Sequence, residues 1–490
     1  MKHSTAVMAL AALTAAPLAS SLAINSARSS SPRVVGMPIQ RRHVSDPIAH
    51  DRARLRRRSG TVLQDLDNEQ SLYYANITLG TPQQALRLHI DTGSSDLWVN
   101  TASSSFCSSR QDPCEGGTYD SSASSTYKLV NNQFNISYVD GSGASGDYVT
   151  DTLNFGGVAI TDFQFGIGEA SSSEQGVLGI GYASNEVAVN RAGLDAYPNL
   201  PVALVNGGLI ASTAYSLWLN DLDSSQGEIL FGGVNTDQYE GELATVPILQ
   251  SYGGYYELLI ALSGLSNDGN DLSASSSLPA AVLLDSGSTL TYLPDDIVTS
   301  VFNQVGAVYS DSLGAAYVEC NIGSATKTVD FVFSGQTIKV PYDELLLDAG
   351  TNSAGQPLTF ESGEAACLFG IAPTQSGGTA VLGDTFLRSA YVVYDLANNE
   401  ISLAQTVFNS TTDNVKEISK GSNGVPNATP VSNPVTQVVS SGQSGARIGG
   451  TSATVTGTLS NSAAPGLNKN APLTTIVGTF VAIAGLALVV

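Results

Sequence analysis

At 490 residues the chain is long enough for two or three domains, and 43 acidic residues against 21 basic ones give a formal net charge of −22. The first 58 residues hold Lys2 and nine arginines against only Asp46 and Asp51, so after position 58 there are 11 basic and 41 acidic residues, a net charge of −30. That surface repels nucleic acid and anionic membranes, and it suits an acidic medium in which protonation relieves self-repulsion.

The N-terminus carries Lys2 and His3, an apolar run over residues 6–19, and small residues that suit cleavage after Ala23. The run is too short for a transmembrane anchor, so residues 1–23 are expected to be a secretory signal. Export makes Cys107, Cys114, Cys320 and Cys367 disulfide candidates with three possible connectivities. The favoured one pairs Cys107 with Cys114 and Cys320 with Cys367, each pair local to one half of the chain.

Residues 24–58 are basic and end in RARLRRRSG, where Arg56, Arg57 and Arg58 precede Ser59 and Gly60. A disordered basic arm is one reading. A propeptide cut after Arg58 is the favoured one, because a basic arm on an acidic protein has a partner in that protein. Such a segment is expected to dock electrostatically and to loosen as acid neutralises the carboxylates.

From position 72 to about 405, short alternating or apolar segments are punctuated by Gly, Ser, Asp and Asn, as in FNISYVDGSGASGDYVTDTLNFGG. This predicts an all-β fold. Helices are expected to be few and brief, for example DDIVTSVFNQV over 295–305, whose acidic opening suits a helix N-terminus.

Within that region one pattern occurs twice. LHIDTGSSDLWV is followed by GVLGIGY, and VLLDSGSTLTYLP by AVLGDTFLRSAYVVYDL. Each half thus has an apolar strand ending in Asp, a hydroxyl residue, Gly and Ser, and later an apolar-apolar-Gly element. The repeat predicts two lobes of related design, covering 59–238 and 239–407. A strand that delivers Asp into a Gly-containing turn exposes the carboxylate at a loop tip. Two such tips meeting at an interface place two carboxylates side by side, where like charges cannot both ionise easily and one proton is shared. The ionised member can then take a proton from water while the protonated one donates to a scissile carbonyl oxygen.

These motifs resemble the pepsin family of aspartic proteases, and the chain ends resemble its GPI-anchored fungal branch, yapsin-like and candidapepsin-like. The resemblance implies a two-lobed all-β fold with a cleft between the lobes. It also implies Asp91 and Asp285 as the catalytic dyad, Thr92 and Ser286 as braces, and turns permitted by Gly93 and Gly287. Ser94, Ser288 and Thr289 would orient the carboxylates or touch substrate backbone. The segment ISYVDGSGASG matches the family's flap hairpin, giving Tyr138 as flap tyrosine with Asp140 and Gly141 near the tip; Val139 stands where most relatives have Gly. By the same resemblance Trp98 packs under the flap. Extended peptides would bind by main-chain hydrogen bonds to that hairpin.

A serine hydrolase or histidine zinc site is disfavoured, because of the four histidines only His89 remains after removal of the leader, and it reads as a structural strand residue. No metal or cofactor is called for, and a monomer is expected. The non-enzymatic alternative is a catalytically silent pepsin-like wall protein, but loss of either Asp would signal it and both are present.

Beyond the lobes, residues 408–461 are dominated by Ser, Thr, Gly, Asn, Pro and Val without amphipathic period and predict a disordered stalk. Asn76, Asn135, Asn409 and Asn427 fit the N-glycosylation pattern, the last two in this stalk. Asn461, Ser462 and Ala463, a polar spacer and the tail LTTIVGTFVAIAGLALVV form a GPI-attachment pattern over 462–490, with Asn461 as acceptor. A C-terminal transmembrane helix is the competing reading. The expected location is the outer face of the plasma membrane, with the cell wall as a further destination.

Overall fold

The computed structural model describes residues 33–42 and 72–439, apart from short internal stretches such as 139–142, together with the strands Thr458–Leu459 and Gly466–Asn468. The signal peptide, Arg58, Asn461, the C-terminal tail, Asp140 and Gly141 lie outside the described residues.

The sequence's alternation becomes alternation of burial. Thr328–Phe333 buries Val329, Phe331 and Phe333 completely while the residues between them stay half-buried, as one covered sheet face requires. Ala390–Asp395 is buried along its whole length, as an interior strand of a 14-stranded sheet that joins the two halves of the chain. There it pairs antiparallel with Ala214–Trp218, setting Tyr394 opposite Tyr215. Asp295–Val305 is the expected helix; it buries Ile297, Val298, Val301 and Phe302 and ends on Gly306 in the left-handed region.

Both disulfides form as favoured: Cys107 with Cys114, Cα atoms 5.5 Å apart, and Cys320 with Cys367, 5.0 Å apart.

Two segments outside the lobes join the fold. Val35–Arg42, inside the expected propeptide, lies antiparallel between Gln226–Phe231 and Leu72–Leu79 and buries Val35, Met37 and Ile39. The expected electrostatic docking concerns residues 24–58, most of which lie outside the described residues. Its described ion pair is Arg33 Nε to Glu417 Oε1 at 3.1 Å, with Arg33 57 % exposed, and exposed pairs contribute little. Ladder hydrogen bonds and apolar burial hold the strand Val35–Arg42 in place.

A correction concerns the stalk. Residues 408–439 are not disordered but form a strap on the body. Val415–Glu417 pairs antiparallel with Gly233–Asn235, and Ala428–Pro430 pairs parallel with Leu243–Pro247 at the end of the large sheet. Ile418 is fully buried, Val431, Val435 and Val438 pack on the main core, and the Val439 amide donates to the Pro279 carbonyl at 2.8 Å. Composition pointed to disorder because the strap has no core of its own; it takes its partners from the lobes. A chain ended at Val407 is therefore expected to lose about 3 kcal/mol against one ended at Val439, since burying Ile418 alone is worth about 1.5–3 kcal/mol. It would also leave Leu243–Pro247 as an open edge. Equal urea midpoints for the two chains would show that the strap adds no stability.

All four sequon asparagines are exposed. The side-chain amide of Asn409 bonds Asp221, and that of Asn427 donates to the Gly241 carbonyl at 3.0 Å.

Candidate active site

The strand Gln84–Asp91 ends on the first aspartate, and Ala280–Leu284 ends immediately before the second. Each is flanked by a parallel neighbour from the apolar-apolar-Gly element of its own half. Asp91 lies opposite Gly179, and Leu284 opposite Leu382. Those glycines permit close approach. A Cβ on Gly179 would sit 2.6 Å from the Ser95 amide, and one on Gly383 would sit 2.3 Å from the Ser288 carbonyl, so no larger residue fits without moving backbone.

The two loops carry the same hydrogen bonds. Asp91 Oδ1 accepts from the Gly93 amide at 2.8 Å and Oδ2 from Ser94 Oγ at 2.5 Å. Asp285 Oδ1 accepts from the Gly287 amide at 2.9 Å and Oδ2 from Ser288 Oγ at 2.8 Å. Each carboxyl is thus fixed by its own turn, one oxygen to a backbone donor and one to a hydroxyl.

The residues after the aspartates bind the loops to each other. Thr92 Oγ1 donates to the Leu284 carbonyl at 2.8 Å and accepts from the Ser286 amide at 2.9 Å; Ser286 Oγ donates to the Ile90 carbonyl at 3.0 Å and accepts from the Thr92 amide at 3.2 Å. A hydroxyl is needed at both positions because each must donate and accept at once. Asp91 and Asp285 are 1 % and 2 % exposed. The stacked rings of Tyr215 and Tyr394, with centroids 5.0 Å apart, lie close enough for Tyr215 to feel Asp91 and Tyr394 to feel Asp285. Burial, more than those charges, raises both phenols far above their ordinary pKa.

Of the remaining expected site residues, Tyr138 follows Lys128–Ser137, which pairs with Gly143–Phe155 as a hairpin, Ser137 opposite Gly143. Trp98 Nε1 donates to Tyr138 Oη at 2.6 Å. Trp98 is also fully buried, so one core side chain holds the Tyr138 hydroxyl. Gly93 and Ser94 are half-buried, whereas Gly287, Ser288 and Thr289 are buried. Ser288 holds Asp285, and the Thr289 carbonyl accepts from the Thr385 amide at 3.1 Å. His89 is buried, with Nε2 3.3 Å from the Ser286 carbonyl, so this strand residue also spans the junction of the two loops.

The sequence reading passed over Tyr215 and Tyr394. The signal available was the YVVYDL segment inside the second repeat, but their stacking depends on pairing across 179 positions and is not a local pattern. It also passed over Asp96, which lies inside the quoted first motif.

Residues 72–406 match the family model for eukaryotic aspartyl proteases. The chain is 58 % identical over 424 residues to the probable aspartic-type endopeptidase opsB of Aspergillus oryzae, covering 86 % of this chain and 85 % of that one. It is 37 % identical over 368 residues to the aspartic proteinase yapsin-3 of Saccharomyces cerevisiae, covering 72 % and 70 %. The crystal structure of an aspartic proteinase from Irpex lacteus superposes with a TM-score of 0.58 at 21 % identity, over 78 % of this chain and all of that one, and shares the fold. With two matching aspartate loops locked together, the chain belongs to the eukaryotic aspartyl proteases and is an aspartic-type endopeptidase of the pepsin-like fungal branch.

Proposed function

We propose that Asp91 and Asp285 act as one acid/base unit that hydrolyses internal peptide bonds at acid pH, in a secreted enzyme held at the cell surface by a GPI lipid. The observation that carries the mechanism is the mirrored bonding of the two carboxyls across the Thr92 and Ser286 lock. Such a pair shares one proton. The ionised carboxylate takes a proton from water as its oxygen attacks the scissile carbonyl, and the protonated carboxyl donates to the carbonyl oxygen. The tetrahedral intermediate then collapses, and the proton taken from water is returned to the departing amine. No bond forms between enzyme and substrate. Tyr138, held by Trp98, would close over an extended peptide.

The test is the pH profile of kcat/KM for an internal bond of a peptide. A bell in the acid range is expected, its limbs reporting the pair rather than either residue. Equal cleavage from acid to alkaline pH would overturn the shared-proton reading.

Surface location rests on the leader and on the Asn461 attachment pattern. A phosphatidylinositol-specific phospholipase is expected to release the protein from cells. Retention after treatment would favour the C-terminal transmembrane helix instead. Removal of residues 24–58 after Arg58 would take away Val35–Arg42 and free the enzyme from its own propeptide.

A further inference from the structure

We infer that Asp96 and Glu186 form a latch under the flap, closed while Glu186 carries its proton beside Asp96 and opened when it ionises, and that this latch sets the upper pH limit of activity. The inference rests on the acid endopeptidase reading.

Asp96 is 1 % and Glu186 0 % exposed. Asp96 Oδ1 accepts from Tyr148 Oη at 2.7 Å and Tyr197 Oη at 3.0 Å, and its Oδ2 accepts from the Val187 amide at 2.9 Å. Glu186 Oε2 accepts from the Tyr197 amide at 2.9 Å, while its Oε1 is buried with no hydrogen-bond partner among the described residues. The groups that face the pair are these two phenols, the two amides and each other's carboxyl. None supplies a counter-charge. For Glu186 an ionised carboxylate with an unbonded oxygen in such a site is costly, so its neutral acid is the form the structure accommodates, whereas the three bonds donated to Asp96 oppose its burial.

The latch connects to the flap through packed rings. Tyr148 lies 5.6 Å from Tyr197 and 5.3 Å from Phe134, Phe134 lies 6.4 Å from Trp98, and Trp98 holds the Tyr138 hydroxyl. Val187 and Ala188, next to Glu186, belong to the same buried cluster. The described hydrogen bonds of the two carboxyls go to Tyr148, Tyr197 and Val187, on the flap side, so both are assigned as positioning residues.

The direction follows from proton linkage. Burial, opposed by the Tyr197 amide and reinforced by Asp96, pushes Glu186 up from 4.5 to about 9. Burial likewise raises Asp96 against its three hydrogen bonds. Below pH 4.5 Glu186 is protonated in folded and opened chain alike, and the latch carries no penalty. Between 4.5 and about 9 only the opened chain has lost that proton, so each pH unit shifts the equilibrium about tenfold toward opening.

Trp98 and Trp218 are the chain's two tryptophans, so in a Trp218→Phe background emission reports on the flap support alone. In that background activity and Trp98 emission are expected to be lost with one common pH midpoint. Glu186→Gln, measured against its own acid plateau, is expected to raise both midpoints by about one pH unit or more. Asp96→Asn serves as the second variant should Glu186→Gln not fold. If neither moves the alkaline limb, the dyad alone sets the limit and the latch is wrong. If the parent cleaves no peptide yet Trp98 still shows a midpoint that Glu186→Gln raises, the endopeptidase reading has failed and the latch stands.

Discussion

Asp285→Asn and Asp91→Asn are each expected to lower kcat/KM for peptide hydrolysis at acid pH by about 10³-fold or more, at the upper end of what positioned acid/base groups contribute. The structure explains why both should be so costly. Each carboxyl has one oxygen on a backbone amide and one on a serine hydroxyl. An Asn side chain keeps the carbonyl for the amide but turns an NH2 toward Ser94 or Ser288, and it can neither take a proton from water nor share one with its neighbour. Because the two groups act as a unit, the double variant should be little worse than either single one. The Thr92 and Ser286 lock is untouched, so the unfolding midpoint should stay within about 1 kcal/mol of the parent, because Asn keeps the volume and the serine hydroxyl can turn to accept from its NH2. Either single variant keeping more than a tenth of the parental kcat/KM would refute the dyad.

Glu344→Ala should produce the largest loss of stability, about 3–5 kcal/mol, the usual cost of removing one partner from a buried ion pair. Glu344 Oε2 meets Arg388 Nε at 2.5 Å, with the two side chains 7 % and 0 % exposed. The Arg388 guanidinium also donates to the Glu344 carbonyl, and Glu344 Oε1 accepts from the Leu222 amide at 2.9 Å, tying the second lobe to the first. Burial works against the Arg388 cation, but Glu344, Tyr73 and Asp384 outweigh it and hold its pKa raised. Without Glu344 that charge stays in the interior with its main counter-charge gone. Replacing both residues by methionine should recover most of the loss, since the penalty comes from the unpaired charge rather than from missing attraction. Urea unfolding followed by far-UV signal checks both. A fall below about 1 kcal/mol for Glu344→Ala would show that water or another group compensates the cation.

The duplicated Asp, hydroxyl, Gly, Ser loops were legible in the chain because their geometry is local: each carboxyl's partners lie two and three residues downstream. For the same reason the helix Asp295–Val305 and the alternation of Thr328–Phe333 could be read directly. The choice of disulfide partners was legible too, since the four cysteines fall into two separate halves. Residues 408–439 were not, because their apolar residues are too sparse to predict a core and find burial against the body, Ile418 in a cluster with Trp218, Val234 and Tyr391, and Val431, Val435 and Val438 on the main core.

By itself, then, the sequence determined the fold class, the two duplicated aspartate loops and the acidic character of the body, all of which depend on residue type and short spacing, while Tyr138 as a flap tyrosine came from the family resemblance. Tertiary structure alone decided what crosses the halves. It crossed Thr92 with Ser286, stacked Tyr215 on Tyr394, and slotted Val35–Arg42 into the central sheet. It also buried Glu186 beside Asp96, where distance from water, not sequence neighbours, fixes how tightly a carboxyl holds its proton.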